Sequence, residues 1–269
     1  MIVRSAVFAA ILGMASAAAP ASAADLRDLC PDRPGRLTPA CIVDAGHLQV
    51  ETGAVDFIHD ATESDITDTL TIASTTLRYG VTSHLEAVAE WSPYVSVRDR
   101  MRGGGATADR GVGDVLLGLK QSLLNPDGKG VSIALAPFVT IPTAKSAIGA
   151  GSSTQGLVVA VTIPLPADFS LGLSPEFDRL PNSGDRGHHA SYTMIGGLSR
   201  AFGAVTPGVE LAATQDNDPT GRTTKATADF FAAWIPKSLP SVQFDVATYV
   251  GLNRDTPDVE AYIGVSKRF

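Results

Sequence analysis

Three groups of residues in this 269-residue chain have types and spacings that could do chemistry. The largest is a set of charges that fall at alternate positions within otherwise apolar or small-residue runs. It comprises Glu51, Glu86, Glu90, Arg98, Lys120, Glu176, Asp178, Glu210, Lys225, Asp229, Asp245 and Glu260. Alternate residues of a β-strand share one face, so these charges would meet in an enclosed space if the strands closed on themselves. There they could pair and brace a wall, or line a path or binding site for a solute. Glu86 and Glu90 share one strand face, with Arg98 farther along the row, and are expected to form an acidic step. Val88, Phe138, Val158, Ile195 and Phe231 fall on the same side, so the lining would be mixed.

The second group is His188-His189 with Ser191, a pairing that in some outer-membrane barrels hydrolyses lipids. Adjacent strand residues point to opposite faces, so only His189 could join Ser191, at about 6–7 Å between Cα atoms. No orienting Asn or Asp is evident in the sequence, and G-x-S-x-G, H-E-x-x-H and P-loop motifs are absent. No helix follows Gly103-Gly104-Gly105 or Gly111-x-Gly113, which argues against phosphate binding. A catalytic site is therefore not expected. The third group is Cys30 and Cys41. With only His47 nearby they fall short of a four-ligand zinc site, so neither metal nor cofactor is expected.

The elements that position these residues are strands. Val242, Phe244, Val246, Thr248 and Val250 interleave with Gln243, Asp245, Ala247, Tyr249 and Gly251, and similar alternation recurs from His47 to Phe269. About twelve strands are predicted, over 47–59, 67–79, 84–98, 113–124, 131–141, 156–166, 169–179, 190–201, 204–216, 223–235, 241–253 and 258–269. Each is near the ~9–11 residues that cross a bilayer at a tilt. The connections sort by parity. Long polar ones (60–66, 99–112, 142–155, 180–189, 217–222) alternate with short ones at 80–83, 125–128, 167–168, 202–203 and 236–240. That sorting is the mark of an antiparallel transmembrane β-barrel, with long loops outside and both termini in the periplasm.

The first residues support export. Arg4 precedes an apolar run from Ala6 to Met14, and Ala21-Ser22-Ala23 fits a signal-peptidase site, giving a predicted signal peptide over 1–23. Its removal takes the net charge from −7 to −8, and the absence of a basic tract excludes nucleic-acid binding. No remaining apolar stretch is long enough for a membrane helix. In an oxidising compartment Cys30 and Cys41 are expected to form a disulfide. It would close a Pro/Gly-rich loop in a periplasmic segment, 24–46, upstream of a barrel spanning 47–269. The final strand, ending at Phe269 with Val259, Ala261, Ile263 and Val265 on its face, resembles the signal read by the barrel assembly machinery, although Lys267 interrupts it.

Several segments together resemble the outer-membrane transporter family associated with the meta-pathway of phenol degradation. They are Cys30-Pro31-Asp32-Arg33-Pro34 with Val43, Gly46, Gln49 and Glu51; Leu77-Arg78-Tyr79-Gly80-Val81 with Leu85-Glu86; Gly111-Val112-Gly113-Asp114-Val115 with Gly118-Leu119-Lys120; and Ile141-Pro142-Thr143. Ala144 stands where the family pattern suggests Gly. The resemblance implies a closed barrel in a Gram-negative outer membrane, in contact with its lipid, and a transport-like role. The expected solutes are small, hydrophobic or aromatic ones among them, passing through a narrow lumen. The alternatives are a structural barrel without transport and an outer-membrane lipid hydrolase.

Overall fold

The computed structural model describes residues 26–184 and 186–269; the predicted signal peptide lies outside the described residues. The strands are β1 (Leu48–Ala61), β2 (Asp65–Gly80), β3 (Leu85–Trp91), β4 (Tyr94–Met101), β5 (Ala106–Gly111), β6 (Val115–Leu124) and β7 (Ser132–Ile141). They continue as β8 (Thr154–Leu165), β9 (Phe169–Pro181), β10 (His188–Arg200), β11 (Val205–Asp216), β12 (Thr223–Trp234), β13 (Val242–Gly251) and β14 (Val259–Arg268). β3 and β4 both pair with β2 and are one wall strand interrupted at Ser92-Pro93. β5 and β6 likewise follow one another along that interrupted strand. The wall therefore has twelve antiparallel strands, close to the twelve predicted spans.

β1 pairs with both β2 and β14, which closes the sheet into a barrel. Closure removes the unpaired edges that an open sheet would present. The burial along β13 shows which way the barrel is turned out. Phe244, Val246 and Val250 are 40–49% exposed, whereas Gln243, Asp245, Ala247 and Tyr249 are at most 6% exposed. Apolar residues outside and polar ones inside is the inverse of a soluble fold, and it suits a wall facing hydrocarbon. Exposed Val55, Phe57, Ile72, Leu77, Leu117, Leu211 and Ile263 continue the outer apolar surface around the barrel.

Strict alternation fails at one level of the first three wall strands. β1 bulges against β14 between Gly53 and Val55, and Ala73 of β2 has φ 57°. A bulge re-aims the residues beyond it. Val55 and Ile72, directly opposite one another, both face out. Two and four residues farther along β2 lie Leu70 and Asp68, and Arg98 is paired with Asp68. Arg98 thus stands on the outer face near the long-loop rim, not in the lumen as predicted, while Val95 is buried instead. Beside it, Asp68 pairs with Arg100 at 2.6 Å and with His59 Nδ1 at 2.7 Å.

Two predicted loops are also shorter than expected. The 60–66 connection contracts to residues 62–64, and the 99–112 connection is a β4–β5 hairpin turning at residues 102–105. Polar strand residues there continue the ladder beyond the apolar surface, so composition alone concealed them.

Candidate functional site

The described part of the predicted periplasmic segment, residues 26–46, is not simply upstream of the barrel but lies inside it. It occupies the end of the lumen where the short turns and the final strand lie. Ile42 N–H donates to Pro126 O in one short turn, and Arg27 reaches Ser83 O in another. Arg268 near the chain's end donates to Arg27 O and Asp44. The Cys30–Cys41 disulfide forms as expected and draws this segment into a compact plug.

The plug is anchored on one side by Arg78. Its Nε and Nη2 donate to the two carboxylate oxygens of Glu86, at 2.8 and 3.1 Å, and its Nη1 donates to Glu51 at 2.9 Å. The same guanidinium donates to the carbonyl oxygens of both half-cystines, Cys30 at 2.7 Å and Cys41 at 3.4 Å. Glu86 in turn accepts from Val43 N–H at 2.7 Å, and Glu51 from Asp32 N–H. Lys120 donates to Asp32 at 2.7 Å. Burial opposes the charge on Asp32, but Arg78 and Lys120 outweigh it and hold this carboxyl below the usual carboxylate range. Arg78, Lys120, Glu51 and Glu86 are each almost wholly buried. Such an arrangement is tolerable only because nearly every donor and acceptor is used.

On the other side the plug inserts two arginines into an acidic and aromatic wall. Arg33 donates through Nε and Nη2 to Asp245 at 3.2 and 3.1 Å, and its guanidinium lies 4.4 Å from the centre of the Tyr262 ring. Arg36 meets Glu260 at 2.7 Å and Asp229 at 3.5 Å, and lies 4.1 Å from the Tyr249 ring centre. The two tyrosines stack edge-to-face and share a hydrogen bond of 3.0 Å between their hydroxyls. Backbone amides complete the contact: Gly35 N–H donates to the Tyr262 hydroxyl, and Arg36 N–H to Glu210, each at 2.7 Å.

Glycines in the wall make room for these insertions. Gly53 and Gly264 face each other across β1 and β14, and a Cβ on Gly264 would lie 2.4 Å from Arg33 Nη2. Gly172 and Gly197 face each other across β9 and β10, and a Cβ on either would come within 2.8 Å of Leu37. Two cross-strand glycine pairs are therefore sockets for two plug side chains.

Beyond the plug, toward the long loops, lies a cavity of about 700 Å³. Arg36 and Glu260 line it at the plug tip, with Glu90, Glu176, Lys225, Ile58, Ile195 and Ala212 around its wall. The predicted site residues thus divide. Glu86, Lys120, Glu210, Asp229 and Asp245 hold the plug; Glu90, Glu176 and Lys225 line the cavity; Asp178 shares the inner face of β9 with Glu176; Arg98 is outside. Glu86 and Glu90 do not form one acidic step, because they sit two inward positions apart and Glu86 is consumed by Arg78. Sequence reasoning missed Arg78, Asp32, Arg33, Arg36 and Asp56. Arg78, flanked by the outward Leu77 and Tyr79, carried the same alternation signal as the residues that were found.

His189 also gains partners that the sequence did not reveal. Its Nε2 lies 2.8 Å from Asp216, and its Nδ1 lies 3.1 Å from Asn182 Oδ1 and 3.5 Å from Asp218. Nδ1 thus makes the ring's hydrogen bond, to Asn182, while the buried Nε2 is close to Asp216 but forms no hydrogen bond among the described residues. Ser191 itself is buried opposite Asp216. The arrangement ties the β9–β10 and β11–β12 loops together.

A closed, plugged, twelve-strand antiparallel barrel with an apolar outer surface belongs to the outer-membrane class of folds. Residues 31–269 match the model of the family described as "Putative MetA-pathway of phenol degradation", and the chain belongs to that family. Among solved structures it is similar to the NanC porin, at 11% identity and a TM-score of 0.50, covering 82% of this chain and 98% of that one. It is also similar to the β domain of the Bordetella autotransporter BrkA (14% identity, TM-score 0.49, 83% and 99% covered). The translocator domain of the autotransporter NalP from Neisseria meningitidis gives 11% identity and a TM-score of 0.45, with 84% and 89% covered. No curated protein matches the sequence.

Proposed function

We propose that this protein is a plugged channel of the Gram-negative outer membrane that passes small solutes and does not transform them. On this reading it is exported with a cleaved leader over residues 1–23 and inserted through the assembly signal in β14. The observation that carries the reading is the 700 Å³ cavity above the plug, whose lining combines Ile58, Ile195 and Ala212 with Glu90, Glu176 and Lys225. That volume and mixture suit a small, partly apolar solute, in keeping with the hydrophobic or aromatic class suggested by the family. The contacts of His189 Nδ1 with Asn182 and Asp218 support a role in bracing the loops rather than in hydrolysis.

The structural-barrel alternative draws on a different observation, the dense ion-pair network that fills the short-turn end. Liposome swelling separates the two. Vesicles carrying the purified protein should swell faster than empty vesicles in neutral solutes of glycerol or pentose size, and no faster in a disaccharide. Swelling indistinguishable from empty vesicles for every solute would replace the channel with a structural barrel.

A further inference from the structure

The plug's arginines reveal what the lumen wall recognises. Each is held by a carboxylate and an aromatic ring: Arg33 by Asp245 and Tyr262, Arg36 by Asp229, Glu260 and Tyr249. A carboxylate beside an aromatic face is a general receptor for guanidinium and ammonium groups. The wall also has more anionic capacity than these two arginines use. Asp229 is wholly buried, yet neither of its oxygens accepts a hydrogen bond from the described residues. Glu210 Oε1, Asp245 Oδ2 and Asp56 Oδ1 are likewise buried and free of hydrogen bonds there. Five carboxylates, Asp56, Glu210, Asp229, Asp245 and Glu260, thus surround two guanidinium groups.

The two arginines are not equivalent. Arg33 is seated in the Gly53–Gly264 socket. Arg36 is about one-third exposed, and both it and Glu260 border the 700 Å³ cavity. A solute arriving from the long-loop end therefore meets Arg36 first.

We propose that the acidic wall at Asp229 and Glu260 is a binding site for organic cations. The ligand class is a guanidinium, amidinium or ammonium head on a small apolar body, and Arg36 is its built-in competitor. The head takes the carboxylates and the Tyr249 ring, while the body rests against Ile58, Ile195 and Ala212. Displacement of the Arg36 side chain removes one of the two arginine side-chain ties at the plug tip, so cation binding and loosening of the plug are coupled. The inference names the solute class of the channel proposed above and rests on that reading for transport, though not for binding.

The test uses benzamidinium, benzamide and benzoate, which are nearly equal in size and differ in charge. Calorimetry on the detergent-solubilised full chain should show benzamidinium binding at least roughly tenfold tighter than benzamide, equivalent to about 1.4 kcal/mol, and no benzoate binding. Arg36→Gln should tighten benzamidinium binding, and Asp229→Asn should bring it to the benzamide level. Should Asp229→Asn lose the heat-shifted gel band of a folded barrel, Glu260→Gln carries the same expectation at the cavity edge. Equal affinity for benzamidinium and benzamide, or an unchanged affinity in Arg36→Gln, overturns the cation site. Proteoliposome uptake separates the two readings. Benzamidinium that binds selectively but is not taken up contradicts the channel and leaves the site standing. Uptake of benzamidinium and benzoate at equal rates, without selective binding, contradicts the site and leaves the channel standing.

Discussion

Arg78 and Glu86 meet in a bidentate pair, Nε to Oε1 at 2.8 Å and Nη2 to Oε2 at 3.1 Å, and neither side chain is exposed. The pair joins the wall to the plug, since Arg78 also holds Cys30 and Cys41 through their carbonyls and Glu86 holds the Val43 amide. Arg78→Leu would leave Glu51 and Glu86 buried with Lys120 as the remaining nearby wall cation. The expected cost is about 3–5 kcal/mol, read as a lower urea midpoint for loss of the heat-shifted band. Arg78→Lys should recover little of it, because an ammonium cannot reproduce the planar fork. A midpoint within error of the wild type for Arg78→Leu would mean that the knot contributes nothing to stability.

Gly264→Val tests the socket. A Cβ there cannot coexist with Arg33 in its present position, whereas position 264 lies within a paired strand where Val is well tolerated. The barrel should fold and the plug should shift, with faster amide exchange over residues 30–41 than in the wild type. Unchanged exchange in a folded Gly264→Val barrel would show that Arg33 does not need the glycine pair.

Glu86 and Glu90 lie on one face of β3 but should behave differently on substitution. Glu86→Gln removes the charge opposite Arg78 and is expected to lower the urea midpoint. Glu90→Gln alters only the cavity lining, so it should change ion preference in bilayer recordings and leave the midpoint in place. The reverse assignment would exchange their roles as brace and lining.

Asp32 gives a pH signature. Its carboxyl is held below its usual range in the folded protein, chiefly by Arg78 and Lys120 working against burial. A depressed folded pKa contributes stability that is present above the free-carboxyl value of about 4 and lost as pH falls through the lowered folded value. Plug amides should therefore exchange faster in Asp32→Asn than in the wild type at neutral pH. The difference should persist to about pH 4 and close only below it. A difference that disappears between pH 7 and pH 5 would place the linkage on another group.

Much of the barrel was legible because a wall between lipid and lumen imposes a period of two on the sequence. Gln243, Asp245 and Tyr249 could be placed inside from their outward neighbours Val242, Phe244 and Val246. That logic broke where the backbone did: the bulge after Gly53, the turn of φ at Ala73 and the Pro93 interruption reversed the faces beyond them. Arg98 was misassigned for that reason, and Asp56 was missed. The plug was illegible for another reason. Residues 26–47 carry no periodicity, and what places them is long-range pairing, such as Arg33 with Asp245 across 212 positions. The paired glycines were visible in the sequence, but their meaning depended on knowing which strands face each other.

On the proposed function, the plug tip held by Arg33 and Arg36 closes the lumen. Single-channel recording in planar bilayers tests it most directly, comparing the wild type with Arg33→Gln/Arg36→Gln, both first shown to be folded by the heat shift. The wild type should show small or brief conductance, and the double variant a several-fold larger, longer-lived one. Equal conductance in the two folded proteins would contradict it.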